Sequence, residues 1–343
     1  MNLFYIVKCT TTALGGGILG LSYQNNEVKQ VNFTPCESPS YLQYSHDRKY
    51  LFVACENKAG GGVISFRVKE DGSLEPNGQQ LQPGYSVCYV DSDPDGKFLY
   101  AANYGKGRID IYPLQDGKPG PFLRSIQHTG TGPNPKRQES AHVHFTHITP
   151  DNKYLAVVDL GLDSLFCYPL CPKNGLDEAN VKVTKVLPAG SGPRHIVFSK
   201  DGKRAWLLNE LANTVISMNY HDGAFELVQT LPMIPAPFHD FSKAAAIRLS
   251  PDENFLYASN RGYDTVAVYR ILPGNLLASA GSYFVGAKSL RDVNFLPGGT
   301  KFAAGGELSD DVFFFDYDPK TGALQPDGNT LTGVTRAICI LND

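Results

Sequence analysis

One unit recurs six times along the chain and limits what it can fold into. Each copy is an apolar run, a tight turn marked by Asp or Gly, and a second apolar run. The copies are Pro39–Asn57, Tyr85–Gly105, His142–Gly161, Gly192–Glu210, Ala244–Gly262 and Leu290–Glu307. The clearest reads GPRHIVFSKDGKRAWLLNE, a strand over Arg194–Phe198, a turn at Ser199–Gly202 and a strand over Ala205–Leu208. Asp-Gly between two apolar runs predicts an antiparallel hairpin, because glycine takes positive φ without steric cost. The turn markers Asp47, Asp95, Asp151, Asp201, Asp252 and Gly298 fall 48, 56, 50, 51 and 46 residues apart. A third short strand follows each hairpin (VISFRV, RIDIYPL, SLFCYPL, TVISMNY, TVAVYRI, DVFFFDY), and then a weaker fourth. A period of about 50 with four strands per repeat predicts an all-β propeller of four-stranded antiparallel blades.

Six repeats leave half-units at both ends. The C-terminal VTRAICILND reads as an innermost strand without its partner, and the N-terminal MNLFYIVKCT as a second strand without its first. Pairing them gives a seventh blade that closes the ring and removes open sheet edges. The expectation is therefore one domain over residues 1–343, with the closing blade built from about Leu3–Cys9 and about Thr335–Leu341.

Composition enters as a test of partners and compartment. Net charge is −3, with no basic block. That argues against a nucleic-acid partner, which needs a basic footprint. No apolar run reaches transmembrane length, and no signal-peptide pattern precedes FYIVKC, so no membrane partner and a cytoplasmic location are expected. The seven cysteines are scattered without a CxxC pair and several lie in apolar strands (Cys9, Cys88, Cys167, Cys339), as expected of reduced, buried thiols.

Aligning the repeats on their turns predicts a functional rim. Seven residues before the markers, at the start of each innermost strand, stand Ser40, Cys88, His144, Arg194, Ala245 and Arg291, with Arg336 assigned to the split blade. Innermost strands ring a propeller's central channel. Three arginines and a histidine around one opening repel each other, yet guanidinium forks match carboxylate and phosphate oxygens. Eight and nine residues after the markers come Glu56-Asn57 (shifted by one), Asn103-Tyr104, Asp159-Leu160, Asn209-Glu210, Asn260-Arg261 and Gly306-Glu307. An anion cradle beside carboxylates suits hydrolysis or proton transfer on an anionic small molecule. His142 and His144 share a strand face and could hold a metal, while His147 points the other way. His46, His128, His221 and His239 carry no pattern, Asp159 and Asp163 read as a loop pair, and the turn aspartates read as structural. A simple clamp between Arg194 and Glu210 is the alternative to a catalytic role.

Three motifs in this order, GPRHIVFSKDGKRAWLLNE, the HVH unit with PD and VVDLGLD after it, and SPDENFLYASNRG, resemble the lactonase family of seven-bladed propellers. That family includes propeller-type 6-phosphogluconolactonases and is related to fungal carboxy-cis,cis-muconate lactonizing enzymes. The resemblance covers essentially the whole chain. It implies a cofactor-free site at one channel end, with the family's histidine, arginine and glutamate at His144, Arg194 and Glu210, and no metal is expected because the sequence offers no ligand cluster beyond His142 and His144. Family members often carry Glu where this chain has Ala246, and their Pro-Arg-Asp reads Leu290-Arg291-Asp292 here.

The function expected is hydrolysis of a sugar-acid lactone, 6-phosphogluconolactone first, in carbohydrate metabolism (the pentose phosphate pathway). Glu210 would be the base, with Arg194 at the oxyanion and His144 at the leaving oxygen. Arg291, Arg336 and Arg261 would bind the phosphate, and Asn209, Asp159 and Glu307 would complete the substrate contacts. The alternatives are a lactone-forming cycloisomerase on a polycarboxylate, a metal-dependent lactonase using Glu210, Asn209 and Asp159, and a non-catalytic scaffold.

Overall fold

The computed structural model describes residues 3–55, 60–236, 238 and 240–342. The protein is an all-β, seven-bladed propeller of four-stranded antiparallel blades. Among the described residues the helical elements are short 3-10 turns at Thr12–Leu14, Tyr104–Lys106 and Pro273–Asn275. The chain divides into two compact units, one of Met1–Ser38, Arg204–Asn219 and Leu227–Asp343, the other of Pro39–Lys203 and Tyr220–Glu226.

The second unit, mid-chain, holds three whole blades. Their innermost strands are Pro39–Tyr44, Val87–Ser92 and Val143–Ile148. The first unit also holds three. Two start from Lys243–Leu249 and Leu290–Phe295, and the third is the closing blade. The seventh sheet, begun by Pro193–Phe198 and continued by Arg204–Asn209, draws on both units.

The closing blade forms as expected, with a shorter regular strand. Leu3–Lys8 pairs with Gly17–Gln24 on one side and Ile340–Leu341 on the other. Upstream of Ile340 the contact continues irregularly, through Val7 N to Cys339 O at 3.1 Å and Cys9 N to Arg336 O at 3.4 Å. Phe4, Ile6, Leu19 and Leu21 pack with Ala303, Val312, Phe314 and Ile340, all buried. Each large apolar side chain so enclosed stabilises by roughly 1.5–3 kcal/mol.

The turn residues do structural work. Asp47 accepts from Ser45 Oγ (2.8 Å) and Lys49 N (3.2 Å), and Asp151 from Thr149 Oγ1 (2.6 Å) and Lys153 N (3.2 Å). In the Val87 blade this role moves to Asp93, which accepts from Lys97 N and Phe98 N, while Asp95 only pairs with Lys97 Nζ.

A second repeated device escaped the sequence reading. The residue just before the third strand is a left-handed Asp or Asn in four repeats, Asp163, Asn213, Asp264 and Asp310, and Gly107 takes that place in a fifth. Asn and Asp tolerate that conformation and can bond nearby backbone. Each side chain ties down the segment entering the next repeat. Asp163 accepts from Gly190 N and Gly192 N, Asp264 from Leu290 N, and Asp310 from Arg336 N, while Asn213 Nδ2 donates to Ser242 O. Asp163 thereby sets the start of the strand that carries Arg194.

Candidate functional site

Bulges place the predicted rim residues. The pairing of first and second strands slips by one residue between Pro39 and Tyr41, Val87 and Tyr89, Val143 and Phe145, and Leu290 and Asp292. The extra residues are Ser40, Cys88, His144 and Arg291. Between Ala244 and Ile247 a similar irregularity contains Ala245. A bulged residue is released from the ladder and re-aimed. Strand periodicity runs through these positions unbroken, which is why the sequence shows the residues but not the bulge.

The first unit gathers five charged groups. Glu210 follows the strand Arg204–Asn209, Arg261 ends Phe255–Arg261, and Glu307 follows Lys301–Gly306. They hold the same place in three successive repeats. Arg261 Nη2 donates to Glu210 Oε2 at 2.9 Å and to Ala244 O at 3.2 Å. Arg336 Nη2 donates to Glu307 Oε1 at 3.0 Å, and Arg291 Nη1 lies 3.9 Å from Glu307 Oε2. Burial, then the charge of nearby Arg291, pushes the Arg261 guanidinium down to about 10 against the pull of Glu210 and Glu307. It remains a cation at neutral pH. Burial would raise the Glu307 carboxyl, but Arg291 and Arg336 outweigh it and hold the group below its ordinary value. Three guanidiniums against two carboxylates leave one positive charge in excess.

Three members of the predicted set, Arg336, Asn209 and Asp159, sit differently from the expectation. Arg336 is not in the strand position of His144 and Arg194. It is left-handed, φ 52°, like Ser38, Gly192 and Ser289, each of which stands two residues before Ser40, Arg194 and Arg291. Asp310 also grips Arg336 N as Asp163 grips Gly192 N. The strand position in the closing blade therefore belongs to Ile338, and Arg336 reaches Glu307 from the turn before it. Asn209 is fully buried and donates from Nδ2 to Thr214 Oγ1 at 2.9 Å. Asn260 does the same to Thr265 Oγ1, so the amide nitrogen at this position ties second to third strand.

The second unit assembles a histidine-rich set. Arg194 and His195 are 4% and 3% exposed, and Arg194 Nη1 lies 3.0–3.2 Å from both His195 ring nitrogens. His195 meets His144 at 5.4 Å between centroids and rests on Tyr41, Tyr89 and Phe145. These three each follow a bulged residue, so the aromatic bed repeats with the blades. His144 is also edged by Tyr104 at 5.5 Å and has Cys88 Sγ 3.9 Å from Nδ1. Cys88 donates to Val143 O and His144 O, and Ser40 Oγ to Val87 O, so the smaller bulge residues stitch neighbouring innermost strands. His195 went unnoticed in the sequence. Its signal was its place beside Arg194 in register with Tyr41, Tyr89 and Phe145.

The other histidines separate by environment. His142 stacks on Tyr104 at 4.4 Å, with Nδ1 near Tyr104 O (3.2 Å) and Nε2 near Glu139 Oε1 (3.1 Å). His147 Nδ1 meets Asp91 Oδ2 at 2.8 Å. Asp159 is fully buried, and its oxygens meet His142 N, Leu162 N and His128 Nδ1. Its two oxygens hold the backbone before His144, the turn at Leu162 and the His128 ring. Glu56, Asn57 and His239 lie outside the described residues. Among the described residues no group of three or more His, Cys, Asp or Glu is arranged to hold a metal ion.

Residues 4–341 match the family described as "Lactonase, 7-bladed beta-propeller". A Bacillus subtilis protein named 6-phosphogluconolactonase is 33% identical over 293 residues, 84% of this chain and 82% of that one. A Lactococcus lactis protein, YwcC, is 33% identical over 303 residues, 87% of this chain and 85% of its own. The Pseudomonas aeruginosa periplasmic gluconolactonase PpgL superposes with a TM-score of 0.89 at 27% identity, covering 99% of both chains.

Proposed function

The chain belongs to the lactonase family of seven-bladed β-propellers, and from that premise we propose that it hydrolyses a sugar-acid lactone, 6-phosphogluconolactone before others. The observation that carries this reading is the charge of the Glu210–Arg261–Arg291–Glu307–Arg336 group. It holds a carboxylate in place and sets three guanidiniums against two carboxylates, a balance that suits an anionic substrate. The names of the Bacillus and Pseudomonas relatives support the same substrate class.

In this reading water attacks the lactone carbonyl carbon and gives a proton to Glu210. Arg194 stabilises the oxyanion that forms. The ring C–O bond then breaks, and His144 supplies the proton that the departing ring oxygen takes. Arg291 and Arg336 hold the phosphate. Glu210, paired with Arg261, supplies the general base.

The test compares hydrolysis of 6-phosphogluconolactone and gluconolactone, each above the spontaneous rate. A preference in kcat/KM for the phosphorylated lactone is expected. Equal values would remove the phosphate from the reading, and no acceleration of either would remove the reading itself.

A further inference from the structure

We propose that His128, far from the rim in sequence, is a positioning residue that fixes His144 through Asp159. This rests on the assignment of His144 to the lactone. His128 begins from a place no motif marks, just after the strand Arg124–Gln127, and is 5% exposed. Both ring nitrogens are engaged. Nδ1 lies 2.7 Å from Asp159 Oδ2, and Nε2 lies 3.0 Å from the Tyr168 hydroxyl. A carboxylate only accepts, so Nδ1 carries the proton, and in the neutral ring Nε2 then accepts from the hydroxyl. Burial pushes the Tyr168 hydroxyl above its ordinary value, which keeps it a donor.

The other oxygen of Asp159 accepts from His142 N at 2.9 Å and from Leu162 N at 3.1 Å. The Asp159 backbone pairs with Val143, and the register slips at the next residue, His144. The carboxylate therefore clamps the strand immediately before the bulge that frees His144. Without His128, Asp159 is left fully buried with one oxygen bare. A buried carboxylate stripped of a donor reorients or pulls in water. Either movement shifts His142 N and, through it, the bulge. A displacement of about 1 Å at a reacting group can cost on the order of 100-fold in rate.

The experiment compares His128→Leu, which keeps bulk and removes both bonds, with His128→Asn, whose amide N–H can replace Nδ1–H. His128→Leu is expected to lower kcat by about 10- to 100-fold with KM changed less than about twofold, and His128→Asn to recover most of it. Imidazole NMR supplies readings that do not depend on activity. In the unmutated protein the His128 nitrogens should report a protonated Nδ1 and a bare Nε2. The His144 ring signals should move in the leucine variant and return in the asparagine variant. The reverse His128 tautomer, unmoved His144 signals, or asparagine as poor as leucine overturns the proposal. An inactive wild-type protein overturns the lactonase reading instead, and the ring signals still decide the positioning claim.

Discussion

Arg261 Nη2 and Glu210 Oε2 stand 2.9 Å apart, with the two side chains 11% and 3% exposed. A pair so enclosed is costly to break from one side, because the surviving charge keeps its desolvation penalty. Arg261→Met should therefore destabilise the protein by about 3 kcal/mol. The check is the denaturant midpoint at unchanged slope. A shift within the few tenths typical of surface changes would show that the pair is solvated after all.

The positive excess of the group predicts how Arg291 acts. Arg291 is a loose partner of Glu307 at 3.9 Å, so its charge is the most available to a ligand. Arg291→Ala should raise KM for 6-phosphogluconolactone by about tenfold, the equivalent of about 1.4 kcal/mol, and change gluconolactone much less. Steady-state kinetics on the two lactones separate these outcomes. An equal loss on both would place Arg291 in general support of the site.

Glu307 makes an acid-side prediction whose sign is fixed by its direction of shift. Burial acts to raise the carboxyl, and Arg291 and Arg336 more than reverse it, so the folded-state value lies below the unfolded one. The stabilisation is then complete above the unfolded carboxylate range and is lost as pH falls through the folded value. Glu307→Gln should flatten the fall of melting temperature below about pH 4.5. Parallel acid limbs in wild type and variant would count against it.

Closure of the ring depends on a short contact. Ile6 and Ile340 are paired, and Ile340 N donates to Asp292 Oδ2 at 2.7 Å. Lys301 adds an outer latch, reaching Asp316 at 2.7 Å, Asp327 at 3.2 Å and Asn26 at 2.7 Å. Removing residues 334–343 strips Ile340 and bares the Leu3–Lys8 edge. A large loss of melting temperature is expected, and an unchanged one would contradict closure by these strands.

The repeat made the fold legible before any coordinates. All six third strands read from the sequence form, and so does the pairing of the two chain ends. Legibility fails where a role depends on one residue's backbone. Arg336 was placed two positions too far along because the left-handed turn before the strand has no composition of its own, being Ser, Gly, Ser and Arg in four repeats. His128 looked idle because its partners, Asp159 and Tyr168, are brought by a hairpin that begins later in the chain. Asn209 looked like a rim group because its neighbour Glu210 is one. Its amide nitrogen instead bonds within its own sheet.

Glu210 carries the central claim, and Glu210→Gln tests it most directly. Glutamine keeps the shape and a carbonyl oxygen for Arg261 but cannot take a proton from water. Turnover of 6-phosphogluconolactone, measured above the spontaneous rate, should fall by about 10²- to 10⁴-fold with KM nearly unchanged. Turnover close to wild type would make Glu210 only the buried counter-ion of Arg261 and would contradict its role as the base.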